Sequence, residues 1–311
     1  MKVSVCVAAT RPDTIGATVR SIVRQTHEDW ELIVVAQGPG ADGVAAAVDQ
    51  ALGGRPGTVV AQSGRGLSRA RNAAIAAAGG DLIAMTDDDC EADADWLRVL
   101  VERLRAAPEV GIIGGAVVAP AKRGRGPGNC PTCDPVEALY DPSAGGGRPP
   151  GFVWIGANFA FLRGTAEAVG DFDPFLGAGA RFPVAEEIDF RRRAEGLGIA
   201  MLTTPDAVVS HTYGWRYGAR AVWDLQRNYA RGNGAYAAKL TLLGDPDGRR
   251  DLRDMRHRTA TEWFERRRPV ALPAGVRRYA HFRSGYRECL RSFRVDDRGL
   301  LRELTAGGAP R

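Results

Sequence analysis

The 311-residue chain has no run of about 18 apolar residues, so no membrane-spanning helix is expected. Cysteine is scarce: five residues exclude a disulfide framework. Cys6 and Cys90 fall in or beside expected strands and read as small apolar residues. Cys130 and Cys133 form a single C-P-T-C pair, whereas zinc needs four ligands and no second pair is in view. A Gly-x-x-x-x-Gly-Lys loop is absent, which excludes P-loop phosphate binding. No internal repeat is present. The opening M-K-V-S-V-C-V-A-A-T-R alternates valines as a strand does and lacks a small-residue cleavage site. It is read as the first strand rather than a leader, and the protein is expected to be cytoplasmic.

What is present is globular: 44% hydrophobic and 25% charged residues, enough for one large domain or a domain with an appendage. The net charge of +5 is unevenly placed. Residues 212–311 carry 22 Arg/Lys against 11 Asp/Glu, and residues 1–211 carry 20 against 26. A basic, arginine-rich tail suits an anionic membrane surface, a phosphorylated substrate or nucleic acid.

The most informative stretch is D-L-I-A-M-T-D-D-D-C, residues 81–90. A short apolar run ends in Asp87, Asp88 and Asp89, and reads as a buried strand closed by an acid cluster. Three adjacent like charges call for a positive partner, of which a hard divalent cation is the simplest. In open α/β sheets ligands sit outside the carboxyl ends of strands, where this cluster falls. A solvated turn leading into a helix cap is the alternative reading.

Around it, strand and helix signals alternate. Strands are expected at residues 2–8, 31–35, 58–61, 82–85 and 111–118. Helices are expected at 13–25, 42–52 and 67–78, the last stopped by Gly79-Gly80, and again after Asp93 or Asp95. This order predicts a mostly parallel, doubly wound α/β sheet with helices on both faces. Residues 120–150, rich in Gly, Pro and Arg, read as a long loop or insert. A strand-like pattern resumes at 152–162, followed by a helix at 186–195, strands at 199–202 and 207–211, and helices at 215–243 and 252–267.

Three further groups carry chemistry. Arg69, Arg71 and Asn72 fall in the first turns of a helix, where donors meet a diphosphate or simply cover the surface. Glu186 and Asp189 share a helix face while Glu187 points elsewhere; a carboxylate there suits proton removal from a hydroxyl, or merely an acid-rich helix start. His211 ends a strand and is a candidate nitrogen ligand.

In this order the motifs resemble the family 2 glycosyltransferases, which have the GT-A fold. The resemblance runs over residues 2–213. It rests on V-S-V-C-V-A-A-T-R-P with S-I-V-R-Q-T and W-E-L-I-V-V, on G-L-S-R-A-R-N-A-A-I-A-A-A-G-G-D, and on T-D-D-D-C. It rests also on G-A-N-F-A-F-L-R with V-G-D-F-D-P-F-L-G, and on E-E-I-D-F-R-R-R with the later His211. It implies a nucleotide-diphospho-sugar donor, an acceptor hydroxyl and inversion. Mn²⁺ or Mg²⁺ would be held by Asp87, Asp89 and His211. Donor contacts are implied for Thr10, Arg11, Gln37, Arg69, Arg71, Asn72, Asp87 and Asp88. Acceptor-side residues are Trp154, Gly156, Ala157 and Asn158, and the base is one of Glu187, Glu186 and Asp189. Two departures stand out: Val35-Ala36-Gln37-Gly38 lacks the acids usual after the second strand, and Glu186-Glu187 replaces the usual Glu-Asp.

The expected division is a GT-A-like catalytic domain over 1–213 and a helical, basic region over 214–311. The first comprises a nucleotide-sugar half at 1–118, the insert at 119–151 and an acceptor half at 152–213. Partners are the donor, a glycan, lipid-linked or small-molecule acceptor, and peripheral contact of 214–311 with an anionic membrane. The rival readings are nucleotidyl transfer, disfavoured by the glycine-free Thr10-Arg11-Pro12-Asp13, and a non-catalytic binder. For the latter the tail aromatics Trp215, Trp223, Tyr229, Tyr236, Trp263, Phe264, Tyr279 and Phe282 would stack on bases. Helical spacing makes them a packing stripe instead, which disfavours nucleic acid.

Overall fold

The structure, a computed structural model, describes residues 1–123, 125–255 and 271–304. The chain divides into two compact units: Met1–Asp171 with Phe190–Gly218, and Phe172–Asp189 with Ala219–Arg311. Residues 172–189, expected with the acceptor half, therefore belong with the tail.

The first unit is built on one mixed sheet. β1 (Val3–Ala9), β2 (Trp30–Gln37), β3 (Thr58–Gln62) and β4 (Leu82–Asp87) pair in parallel in the order β3-β2-β1-β4. The helices α1 (Pro12–Val23), α2 (Ala41–Leu52) and α3 (Leu67–Ala77) make the crossovers. Valines alternate along β1, and Val3, Val5 and Val7 are fully buried with Ile15, Val19 and Ile22 of α1. The chain leaves β1 in one direction for β2 and β3, then returns to its other side for β4. The switch point therefore falls between β1 and β4, with Ala8 opposite Asp87.

Beyond β4 the order continues β9-β6-β10-β5, and β8 joins β10. These are β5 (Glu91–Ala92), β6 (Val110–Val118), β8 (Ala138–Tyr140), β9 (Asn158–Leu162) and β10 (Ala200–Ser210). β9 is antiparallel to both neighbours, so only part of the sheet is parallel. Only residues 158–162 of the expected 152–162 segment enter the ladder; Phe152 and Trp154 are buried against each other and Tyr140 instead. The two strands expected at 199–202 and 207–211 are one, β10, with a register shift between Thr203 and Val208. Pro205 lies in that gap and has no N–H for the ladder. The insert holds β7 (Gly128–Asn129), which pairs with β11 (Arg216–Tyr217). The unit is completed by α4 (Trp96–Ala106), α5 (Arg163–Val169) and most of α6 (Glu186–Gly196), whose third and fourth positions after Glu186 straddle the unit boundary. Asp95 is the N-cap residue of α4, but its side chain makes no capping bond and takes Thr26 and Arg98 instead.

Gly79-Gly80 follows the end of α3, as expected, but not as a left-handed cap. Neither glycine has a positive φ; a Cβ on Gly80 would lie 2.8 Å from the Lys2 carbonyl and the Ser4 amide. Close approach to β1 sets that residue. Beside it Glu31 accepts from Lys2 Nζ, Ser4 Oγ and the Gly79 amide, each at 2.6 Å. Burial alone would raise the Glu31 carboxyl, but these donors outweigh it and hold it at about 2.

The second unit is helical. α7 (Ala219–Leu242) packs on α9 (Ala271–Ser292), and a helix over residues 246–255 (α8) lies between them in sequence. The remainder of the helix expected over 252–267, with Trp263 and Phe264, lies outside the described residues. β12 (Phe293–Val295) and β13 (Leu301–Glu303) form a hairpin. Tyr236, Phe282 and Tyr286 are buried in this unit's core with Phe182 and Phe293. α7 and α9 meet backbone to backbone: a Cβ on Gly234 would strike the Phe282 carbonyl, and one on Gly285 the Arg231 carbonyl.

Two outcomes are expected. Gly285→Ala should cost about 2–3 kcal/mol in urea unfolding, because two carbonyl-bearing backbones must part. Glu31→Gln should cost about 1–2 kcal/mol at neutral pH, a figure reduced for the partial exposure of the pair. Because the folded carboxyl titrates below its unfolded value, that stability is present above about pH 4.5 and is lost on descent toward about 2. The gap between wild type and variant should therefore close with acidification over that window.

Candidate active site

The acid cluster closes β4 at the switch point, and each carboxylate meets a different set of cations. Asp88 is buried and accepts four donors from the turn after β1. These are the Thr10 amide at 2.7 Å and the Arg11 amide at 3.1 Å on Oδ2, and Arg11 Nε at 2.9 Å with Arg11 Nη2 on Oδ1. Asp88 therefore holds the Thr10–Arg11 turn rather than facing outward as a donor contact. Arg11 reaches on with Nη1 to Asp89 Oδ2 at 2.7 Å. Arg216 Nη2 stands 3.6 Å from the same oxygen.

Asp89 Oδ1 lies 3.2 Å from His211 Nε2. The other ring nitrogen, Nδ1, is 2.9 Å from the Pro131 carbonyl, which can only accept. That bond fixes the proton on Nδ1 and turns Nε2 toward the carboxylate. Burial would lower His211, but Asp89 outweighs it and raises the imidazole above its ordinary range. Burial would likewise raise Asp89; His211 and Arg11 hold it far below the usual carboxylate range. Asp87 behaves oppositely. Burial pushes it up to about 6, Arg71 opposing and Asp89 reinforcing the shift. Its nearest cation is Arg71 Nη2 at 3.7 Å.

The metal set expected from sequence, Asp87, Asp89 and His211, is thus assembled in part. Ligand atoms of Asp89, His211 and Cys90 lie within 4.8 Å of one another, with Asp87 outside this group. An N···O separation of 3.2 Å suits two adjacent positions of an octahedral ion, whose edge is roughly 3 Å at Mg²⁺ bond lengths. Burial raises the Cys90 thiol well above its ordinary value, so it stays protonated, and sulfur is a poor match for a hard cation. Asp89 and His211 fit a hard divalent ion.

Other expected residues are placed as follows. Arg71 is buried, donates to the Gly156 carbonyl at 2.7 Å and stacks over Phe159; Arg69 is exposed, and Asn72 is half-buried. Gln37 Oε1 accepts the Gly66 amide at 2.8 Å, so it holds the loop before α3. Asn158 is fully buried: it accepts from Trp96 Nε1 and donates to the Ala116 and Ala207 carbonyls, tying β9, β6 and β10 together. Trp154 and Ala157 are buried too, Trp154 beneath the Arg191 guanidinium. These side chains support the sheet from within.

The acids of α6 have distinct surroundings. Asp189 is buried against Lys239, a lysine with no exposure, which also donates to Asp173 at 2.8 Å. Asp173 accepts the Leu301 and Phe175 amides as well. Glu186 is buried and Glu187 half-buried. Ala185, just before them, has φ of 77°, a left-handed conformation costly for alanine.

Sequence reasoning missed Arg216, the Pro131 carbonyl and the Lys239 cluster. A lone lysine in the apolar run A-A-K-L was a readable signal for a buried cation in need of carboxylates. Nothing in the spacing marked Arg216.

Residues 4–133 match glycosyl transferase family 2. A curated relative from Haloferax volcanii, the glucosyl-dolichyl phosphate glucuronosyltransferase, is 33% identical over 123 residues, which are 38% of this chain and 39% of that protein. The matched stretch is thus well under half of either protein. Among solved structures, a mannosyltransferase of Pyrobaculum calidifontis in complex with GDP-Man and Mn²⁺ is similar with a TM-score of 0.59. Its identity is 18%, over 93% of this chain and 87% of that one. Residues 1–349 of S. aureus TarS give a TM-score of 0.55 at 14% identity, over 100% and 98%. The family resemblance is borne out over residues 4–133, and the GT-A architecture is borne out by the fold.

Replacing Asp88 by Asn removes the charge that gathers the Thr10–Arg11 turn. Hydrogen exchange at the amides of residues 10 and 11 should accelerate at least tenfold, with β2 amides unchanged. Equal protection in both proteins would contradict the assignment.

Proposed function

We propose that this protein transfers a sugar from a nucleotide-diphosphate donor to an acceptor hydroxyl with inversion, using Mn²⁺ or Mg²⁺. The observation that carries this reading is the Asp89–His211 pair at the switch point, set among Arg11, Arg71 and Arg216. The similar mannosyltransferase was solved with GDP-Man and Mn²⁺, and TarS with UDP, which supports a nucleotide-sugar donor and a divalent ion.

Asp89 and His211 would hold the ion, and Asp87 is the most open of the three acids. Bound there, the ion would neutralise charge on the departing diphosphate. The chain's own cations act alongside: Arg11, pinned by Asp88, and Arg71, pinned by Gly156, are preorganised positive groups beside the carboxylates. Glu187 is the proposed base. It is the half-buried acid of the α6 first turn, whereas Asp189 is engaged by Lys239. Taking the acceptor proton there would let the oxygen attack the anomeric carbon opposite the leaving group, which inverts configuration. The Haloferax relative's name includes a dolichyl phosphate sugar, which supports a lipid-linked acceptor.

The test has two parts. UDP or GDP with Mn²⁺ should raise the wild-type melting temperature, and Asp89→Asn should abolish the metal-dependent portion of that shift. Asp87→Asn combined with Asp89→Asn should lower nucleotide release from UDP-sugars or GDP-mannose by at least a thousandfold. Donor turnover at the wild-type rate in the double variant would overturn the reading.

A further inference from the structure

We propose that the solvent face of α9 is a docking surface for an anionic lipid bilayer. This inference stands on the charge pattern of the helix alone and does not depend on the donor chemistry proposed above.

The pattern is one-sided. At 3.6 residues per turn, Arg277, Arg283, Arg287 and Arg291 fall within an arc of about 120°, spread over about 21 Å of helix. All four are exposed. None has a hydrogen bond or ion pair among the described residues, although arginine usually finds a carboxylate. The only acid in α9, Glu288, lies at the opposite border of this arc from Leu290 and is taken by Arg181 at 2.8 Å and Arg231 at 2.7 Å. Arg294, just past the helix end, is exposed too.

Local contrast argues against a generally solvated basic surface. In α8, Arg249, Arg250 and Arg253 alternate with Asp247, Asp251 and Asp254, so that helix carries no net charge from these groups. In α7, Arg227 pairs with Asp224 at 3.4 Å. Among the described residues, four arginines without ion pairs are gathered on one side of α9, while Arg220 on α7 and Arg298 in the hairpin stand apart.

The choice between two polyanions follows from what accompanies the arginines. Val276 is 50% exposed within the arc and Leu290 is 36% exposed at its border. Apolar side chains interleaved with arginines suit a headgroup layer, where the guanidinium meets phosphate and the apolar group enters the acyl boundary. A strand of nucleic acid would instead want exposed aromatic platforms. On α9, Phe282 and Tyr286 are buried and Tyr279 is half-buried, so none is a fully exposed platform. A long apolar moment is not required, because arginines near an anionic surface each add to the attraction and the apolar pair fixes the depth.

Full-length protein should be sedimented with vesicles of phosphatidylcholine alone and with about one-third phosphatidylglycerol. Binding is expected to the second and not the first, and to be lost at about 0.5 M NaCl, where the Debye length is only a few ångströms. The triple variant Arg283→Gln, Arg287→Gln, Arg291→Gln should bind roughly a hundredfold more weakly, with unchanged circular dichroism and melting temperature. The triple variant Arg249→Gln, Arg250→Gln, Arg253→Gln, with the same charge change on α8, should bind as wild type. Failure of wild type to bind, equal binding to neutral vesicles, or equal loss in both variants would overturn the proposal. Displacement from the vesicles by single-stranded RNA at lower concentration than soluble phosphatidylglycerol headgroup would assign the face to nucleic acid instead.

Discussion

Mutual repulsion among Asp87, Asp88 and Asp89 is the constraint around which the first unit is arranged. Placing three carboxylates at a strand end is unfavourable unless cations converge there. The fold brings them from separate parts of the chain: Arg11 from the turn after β1, Arg71 from α3, His211 from the end of β10 and Arg216 from β11. Each carboxylate is then driven to a different state. Asp88 becomes a clamp on backbone amides, Asp89 stays ionised against His211, and Asp87 is left with a raised carboxyl and one distant arginine. One short acidic run thus supplies a structural anchor and an ionised carboxylate paired with a histidine from adjacent positions.

The same economy recurs in the supports. The Pro131 carbonyl orients His211 from the insert, and Gln37 and Asn158 spend their polar atoms holding loops and strands. These residues are of the types usually assigned to ligand contact. Burial and complete hydrogen bonding give them another task, because an amide already satisfied inside the fold has little left to offer a substrate.

In the second unit the corresponding constraint is Lys239. A fully buried ammonium must be paired, and it draws Asp173 and Asp189 into one cluster that also takes the Leu301 and Phe175 amides. Residues 172–189 are thereby committed to the same unit as the tail helices. This contributes to the difference between a division drawn at residue 213 from the extent of the family resemblance and the division by packing. Burial of Leu176, Phe182 and Ala185 in the same core as the tail residues adds to that commitment.

Local pattern determined a good deal about this protein by itself. The valines of β1, the amphipathic spacing of α1 and the apolar run before Asp87 are short-range signals, and burial follows them closely. Chain order sufficed for the crossovers, because a right-handed parallel crossover leaves few alternatives. It sufficed too for pairing Asp89 with His211, which rested on motif order. Only the tertiary structure decided the antiparallel insertion of β9, the single bulged strand across Pro205, and which acids face inward. Those outcomes depend on partners far away in the chain, such as Thr10 for Asp88 at 78 residues and Leu301 for Asp173 at 128. A residue's type states which bonds it can make; the fold states which of them have already been made.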